Sequence, residues 1–220
     1  MPALQLGSVW LQQQRLLKDD LNTARATSNS NIMRDAVSRA MARYEGYFRA
    51  RAETVRADPV RFYCEPWATL LERGTHWIAG WRPSAVIHLL YSESGIRFQA
   101  QLEDLLLGIH SGDLGDLSPR QLGRVDEVQR RTIAEEGEIE GELRELQVGL
   151  GDLFPVRDAD LVEKMGKMEG IIRRADGLRM RTLKDVVDIL EPAQAVDLLV
   201  AAADLEIGLR EIGMCWERSR

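Results

Sequence analysis

Apolar residues recur in steps of three and four along most of this chain, a spacing that fits helices and no other regular structure. Leu6, Trp10, Leu17 and Leu21 fall near one face of a first helix. Met33, Val37, Met41, Tyr44, Phe48 and Val55 make a second stripe, between the polar break at 27–31 and the Asp58-Pro59 step. In the third quarter Leu122, Val125, Gln129, Thr132, Glu136, Ile139, Leu143, Leu146 and Leu150 mark a long helix that is apolar at both ends and polar in its middle. A buried helix tolerates such a middle only with partners or solvent nearby. Gly149, Gly151, Asp152 and Pro155 break the pattern. Leu161, Met165, Met168, Ile172, Ala175, Leu183, Val186 and Leu190 form the next stripe, and an Ala- and Leu-rich helix runs from Pro192 to near Trp216. No segment alternates with the period of a strand. The expected fold is all-α, an irregular antiparallel bundle of about seven to nine helices, with residues 1–220 as a single domain.

Helix starts are legible as well. Thr69–Glu72, Ser118–Gln121 and Asp160–Glu163 fit the capping box, in which an N-cap oxygen and the residue three positions on exchange bonds with each other's backbone. Pro119 stands at a first helical position, where its missing N–H costs nothing. Glu191–Gln194 has the same shape with a poorer cap. The run from Gly108 to Ser118 is the expected flexible connection.

Composition narrows the function classes. The chain has 220 residues, is 45% apolar and 29% charged, and carries a net charge of −6. That is the make-up of a packed domain without a global basic field to draw it onto nucleic acid. No apolar run is long enough to span a bilayer, and the first residues lack the pattern of a secretory signal, so no membrane association is expected. Cys64 and Cys215 are the only cysteines, which points to a reducing compartment.

Catalytic and metal motifs find no template. His76, His88 and His110 are scattered, with no partner at helical ligand spacing. Cys64 and His76 lack a third orienting group, so no enzyme is expected. Glu135, Glu136, Glu138, Glu140 and Glu142 read as a solvated helix face. The arginines between Arg34 and Arg61 (Arg39, Arg43, Arg49, Arg51 and Arg56 among them) read the same way, with an acidic partner as the functional alternative. Met165, Met168 and Ile172 offer an apolar groove, for a fatty acid for instance, although a plain core is the expected reading.

The segment Trp67–Ser84 carries a family resemblance. Trp67, Thr69, Glu72, Arg73, Trp77, Gly80, Trp81, Arg82, Pro83 and Ser84 match the signature of the plant seed-dormancy control (delay-of-germination) domain, with Leu70 where that family usually has proline. Lys164–Leu183 resembles the family's helix ending A-D-x-L-R-x-x-T-L, Pro192–Ala203 its P-x-Q-A segment, and Trp10–Arg15 its W-x-x-x-Q opening. Physically the signature reads as architecture. Thr69 and Glu72 cap a helix, Gly80 ends one, Pro83 starts the next, and Arg73 and Arg82 are expected to pin helix carbonyls at a corner.

The resemblance implies a non-enzymatic regulatory domain that binds other proteins, in the nucleus and cytoplasm. One branch of the family comprises TGA-type bZIP transcription factors that bind NPR-type co-regulators. The other lacks the zipper and includes dormancy regulators that bind protein phosphatases of the abscisic-acid pathway. This chain shows no basic region or leucine heptads for DNA, so it is expected in the zipper-less branch. The dormancy regulators place an acidic, aromatic stretch before the opening tryptophan, whereas Leu4–Val9 carries no acid here. The expected partner surface is Trp10, Gln13, Gln14 and Arg15 together with the polar stretch of the long helix, and a homodimer is an expected arrangement. The family's haem association rests on two histidines four apart in the last helix. Glu206 and Arg210 stand there, spaced for a surface ion pair, so no haem is expected.

Overall fold

The computed structural model describes residues 3–107, 109, 111–149 and 158–219. His110, Leu150, Gly151, Asp152 and Pro155 of the sequence reading, and Gly108 at the start of the expected loop, lie outside them. Nine α-helices fill the described residues, and no strand occurs among them. They are α1 (Ala3–Ala26), α2 (Ser30–Ala57), α3 (Pro59–Tyr63), α4 (Leu70–Thr75), α5 (Ala85–Ala100), α6 (Leu102–Leu106), α7 (Pro119–Val148), α8 (Asp158–Val187) and α9 (Pro192–Arg218). A 3-10 turn, Leu114–Asp116, lies before α7.

Local chemistry sets most boundaries. Asn29 caps α2, its side chain accepting from Asn31 and Ile32, so the break at 27–31 is a turn with a cap. Asp58 caps α3 ahead of Pro59. The capping boxes at Thr69–Glu72 and Ser118–Gln121 both form. At α9 Gln194 reaches back to the Glu191 N–H at 2.9 Å. Asp160 is no cap: α8 already begins at Asp158, and the acid instead adds negative charge to the first turn.

Side-chain pairs give the directions of the long helices. Asp20 of α1 meets Arg39 of α2 while Trp10 stacks on Tyr47, so these two run antiparallel. Lys18 meets Asp204 and Arg25 meets Asp197, which sets α9 antiparallel to α1. Thr132–Thr182 and Glu138–Arg174 do the same for α7 and α8.

Two apolar clusters form the core. The larger joins Leu17, Leu21, Tyr44, Leu90, Val125, Leu183 and Leu198. The smaller joins Leu6, Val55, Phe62, Ile78, Ile139, Ile172 and Leu178. Tyr47 packs against both, and Trp81 packs on the first while Ile78 and Ala79 belong to the second. The loop between α4 and α5 is therefore wedged where the two clusters meet.

Candidate functional site

The signature segment makes a corner. Trp67 leads into α4, which ends at Thr75, and residues 76–83 turn without helix before Ser84 and α5. Trp77 and Trp81 consequently share no helix face. The Trp77 N–H donates to the Gly80 carbonyl at 2.6 Å and folds the loop back on itself. Ile78 and Ala79 are held at φ of 48° and 57°, a left-handed backbone that an isoleucine seldom adopts. Each such residue costs about 1–3 kcal/mol and persists only where the surroundings dictate it.

Two buried arginines do the dictating. Arg179 of α8 donates to the carbonyls of Trp81 at 2.6 Å and Ile78 at 3.0 Å, and also to that of Trp77. Arg51 of α2 donates to the Ala79 carbonyl at 2.7 Å. Asp176 lies between them and accepts from both, at 2.9 Å twice from Arg51 and at 2.6 Å from Arg179. Burial pulls the Arg179 guanidinium down to about 10 while Asp176 opposes the change, so it stays cationic at neutral pH. Burial also works against the Arg51 charge, but Asp176 wins and holds it above its ordinary value. Gly80 allows this close approach: an added Cβ would sit 3.1 Å from the Arg179 guanidinium carbon, so the arginine would have to give way.

The polar middle of α7 supplies the other wall. Glu136 is 1% exposed and accepts from the Ser84 N–H and from Arg82 Nε, both at 2.7 Å, so it caps α5 from outside. Glu140 accepts from Trp77 Nε1 at 2.9 Å and from Arg82 Nη2 at 2.7 Å. Glu135 meets Arg181, and Glu138 and Glu142 meet Arg174. The expected solvated acidic face is thus a row of partners for the corner and for α8. The expected carbonyl pins are corrected in the same way. Arg82 grips carboxylates, exposed Arg73 takes no part, and Arg51, Arg179 and Arg210 hold the carbonyls.

A cavity of about 370 Å³ opens in front of the corner, between α1, α2, α4 and α9. Trp10, Tyr47, Phe48, Trp67 and Trp81 supply most of its apolar wall. Glu206 and Arg210 also line it, and they are not a surface ion pair. Glu206 accepts from Trp10 Nε1 at 2.6 Å, and burial raises its carboxyl to about 7, opposed by that bond. Arg210 donates to the Trp67 carbonyl and to Glu72, each at 2.7 Å, tying α9 to the α4 cap. A carboxyl and a guanidinium, both already engaged, provide no imidazole pair, so this pair of positions does not fit haem. Met165, Met168 and Ile172 do not line the cavity: Met165 is largely exposed and Met168 packs into the smaller cluster.

The remaining candidates sort by burial. Trp10 is 9% exposed and Gln14 is 0% exposed, so the expected first-helix surface narrows to half-buried Gln13 and to Arg15, which reaches Glu211 at 2.9 Å. Neither Nε2 nor Oε1 of Gln14 has a hydrogen bond of good geometry within the protein. His76 pairs through Nδ1 with buried Glu65 at 2.7 Å, His88 is exposed, and both cysteines are free and exposed. Among the arginines of α2, Arg51 is buried and Arg39 and Arg43 meet Asp20, so that row is only partly a solvated face. Among the described residues no cluster of acidic, histidine or cysteine side chains is arranged to hold a metal ion, and no helix is long and apolar enough to cross a membrane.

Comparisons with known proteins agree with the signature. A family model described as seed dormancy control matches residues 13–92. Protein DOG1-like 2 of Arabidopsis thaliana is 29% identical over 93% of this chain and 87% of its own length. Protein DOG1-like 3 of the same plant is 28% identical over 93% of this chain and 79% of its own length. Transcription factor TGA2, also from Arabidopsis thaliana, is 25% identical over 95% of this chain and 62% of its own length. The resemblance read from the tryptophan segment thereby extends to almost the whole chain.

Proposed function

We propose, on the premise that this chain is a relative of the seed-dormancy control proteins, that it is a non-enzymatic regulatory domain that works by binding other proteins, in plant seed dormancy, abscisic-acid signalling or transcriptional control. The observation that carries this reading is the likeness to dormancy and transcription proteins over more than nine-tenths of the chain. The corner agrees with it: its arginines and carboxylates are committed to one another and to backbone carbonyls, which builds a rigid scaffold. Nucleus and cytoplasm are the proposed locations, the first by likeness to the transcription factors.

The contact surface is the outer face of α1 and α9. There the Arg15–Glu211 and Lys18–Asp204 bridges stand beside exposed Leu16 and Ile212. Charged rims around apolar side chains are the usual make-up of a protein contact. The proposed partners are a protein phosphatase of the abscisic-acid pathway or an NPR-type co-regulator, and a homodimer would use the same face. Titration of the whole chain with each purified partner tests this, using Arg15→Glu with Gln13→Ala against a distant Arg130→Glu control. A loss of affinity of about tenfold or more, confined to the first variant, supports the reading. No binding of either partner overturns it.

A second reading is a ligand sensor, and the cavity of about 370 Å³ favours it because pockets for organic molecules begin near that size. A fatty acid is the occupant that an apolar wall suggests. Extraction of the purified protein and mass spectrometry of the extract would find it.

A further inference from the structure

The cavity wall carries several charges, and all but one are answered within the protein. Arg51 and Arg179 share Asp176, and their surplus positive charge is taken up by the carbonyl oxygens of Trp77, Ile78, Ala79 and Trp81. Arg82 has Glu136 and Glu140, Arg210 has Glu72, and Glu65 has His76. Among the described residues, Glu206 is the one carboxylate of this wall with neither an arginine nor a histidine bonded to it. Its Oε2 accepts from the Trp10 indole, and no described residue donates a hydrogen bond to its Oε1. Trp10 lies against Tyr47 with ring centroids 3.9 Å apart, and Phe48, Trp67 and Trp81 line the same cavity as the acid. A carboxylate with an unbonded oxygen beside aromatic faces is an arrangement that recognises an ammonium ion, by charge on one side and ring quadrupoles on the others.

We propose that this cavity binds a compact organic ammonium ion, a primary or quaternary amine on an aryl or short alkyl body, with its cationic head on Glu206 and its body against Trp10, Tyr47 and Trp81. The inference rests on the ligand-sensor reading and names the ligand class for it. Glu206 joins α1 to α9 through Trp10, so an occupant that draws on this carboxylate acts at the seam beneath the proposed contact face.

Calorimetric titration of the whole chain with phenethylamine, phenylethanol and phenylacetate at equal pH tests the charge preference directly. The amine is expected to bind about tenfold or more tighter than the alcohol, and the carboxylate most weakly. Glu206→Gln keeps an acceptor for Trp10 and is expected to bring the amine down to the alcohol, while Glu127→Gln, on the exposed face of α7, leaves it unchanged. A second arm follows pH. Trp10 and Arg210, Tyr44, Tyr47 and Arg51 of α2, and Glu72 of α4 surround Glu206, and His76, paired with Glu65, lines the same cavity. Amine affinity should rise as pH passes upward through 7 and the Glu206 carboxylate ionises, and Glu206→Gln should abolish the part of that rise that belongs to this acid rather than to the imidazole. Phenylacetate binding tightest, or amine affinity indifferent to Glu206→Gln and to pH, overturns the proposal and leaves the sensor reading standing. No binding by any of the three overturns the proposal, and an extract of the purified protein that also holds no organic ligand overturns the sensor reading with it.

Discussion

Arg51 and Asp176 are joined by two parallel bonds of 2.9 Å, Nε to Oδ2 and Nη2 to Oδ1, across 125 positions of sequence. The same carboxylate accepts from Arg179, and the two guanidiniums together hold every carbonyl from Trp77 to Ala79 and that of Trp81. One acid on α8 thus fixes a loop that two non-glycine residues enter at positive φ. Asp176→Asn should destabilise the protein by about 3–5 kcal/mol, because it leaves two buried cations without their counter-charge. Urea denaturation followed by helical circular dichroism measures it, and a loss under about 1 kcal/mol would deny the carboxylate this role.

The strain at Ala79 gives a prediction of opposite sign. Ala79→Gly relieves a φ of 57° and should be neutral or stabilising by up to about 1 kcal/mol. Ala203→Gly, in the buried face of helix α9, should instead cost about 1 kcal/mol or more. The difference in melting temperature between the two variants checks both at once.

How much of this was legible in the sequence follows from the physics of each signal. The long helices were, since Leu6, Trp10, Leu17 and Leu21 all turned out buried at the spacing that announced them. The corner was legible as a segment, because Thr69 and Glu72 cap locally. Its partners were not. Buried Glu136 sits in a run of glutamates that reads as any solvated face does, and Arg51 is one of seven arginines in its stretch. A signal did exist at Asp176 and Arg179: opposite charges three apart, beside the apolar stripe of Ile172, Ala175 and Leu183, belong on the inward side of a helix. The cavity had no sequence signal, since its wall comes from five separate segments.

Stability should respond to pH through Glu206. Its carboxyl is raised to about 7 by burial, whereas an unfolded glutamate titrates near about 4.3. Between those values the folded state keeps a proton that the unfolded chain has released, so stability falls as pH rises through this window. Glu206→Gln should flatten the slope, gaining on the wild type by about 1–2 kcal/mol between about pH 5 and 8; partial solvation keeps this below the full shift. Urea midpoints at the two pH values are the measurement, and parallel slopes would contradict the assignment.

Gly213 of α9 lies against the α4 cap, where an added Cβ would meet the Thr69 side chain. Gly213→Ala should cost about 1–3 kcal/mol despite the better helix propensity of alanine. Thr69→Ala, which removes the cap itself, should cost about 1 kcal/mol. The double variant should cost less than the sum, because the closest collision, with the Thr69 hydroxyl, goes with the threonine and only the 2.8 Å contact to its Cβ remains. Chemical denaturation of the three variants checks the coupling.

Hydrogen–deuterium exchange of the chain alone and in complex with a binding phosphatase or co-regulator tests the central claim most directly. An outward-facing regulatory domain predicts new protection along α1 around Gln13–Leu16 and along α9 around Glu211–Ile212, with the loop from Trp77 to Arg82 already slow in the free chain and unchanged. Protection confined to that loop and the cavity wall, with the outer face of α1 and α9 exchanging as before, would contradict it.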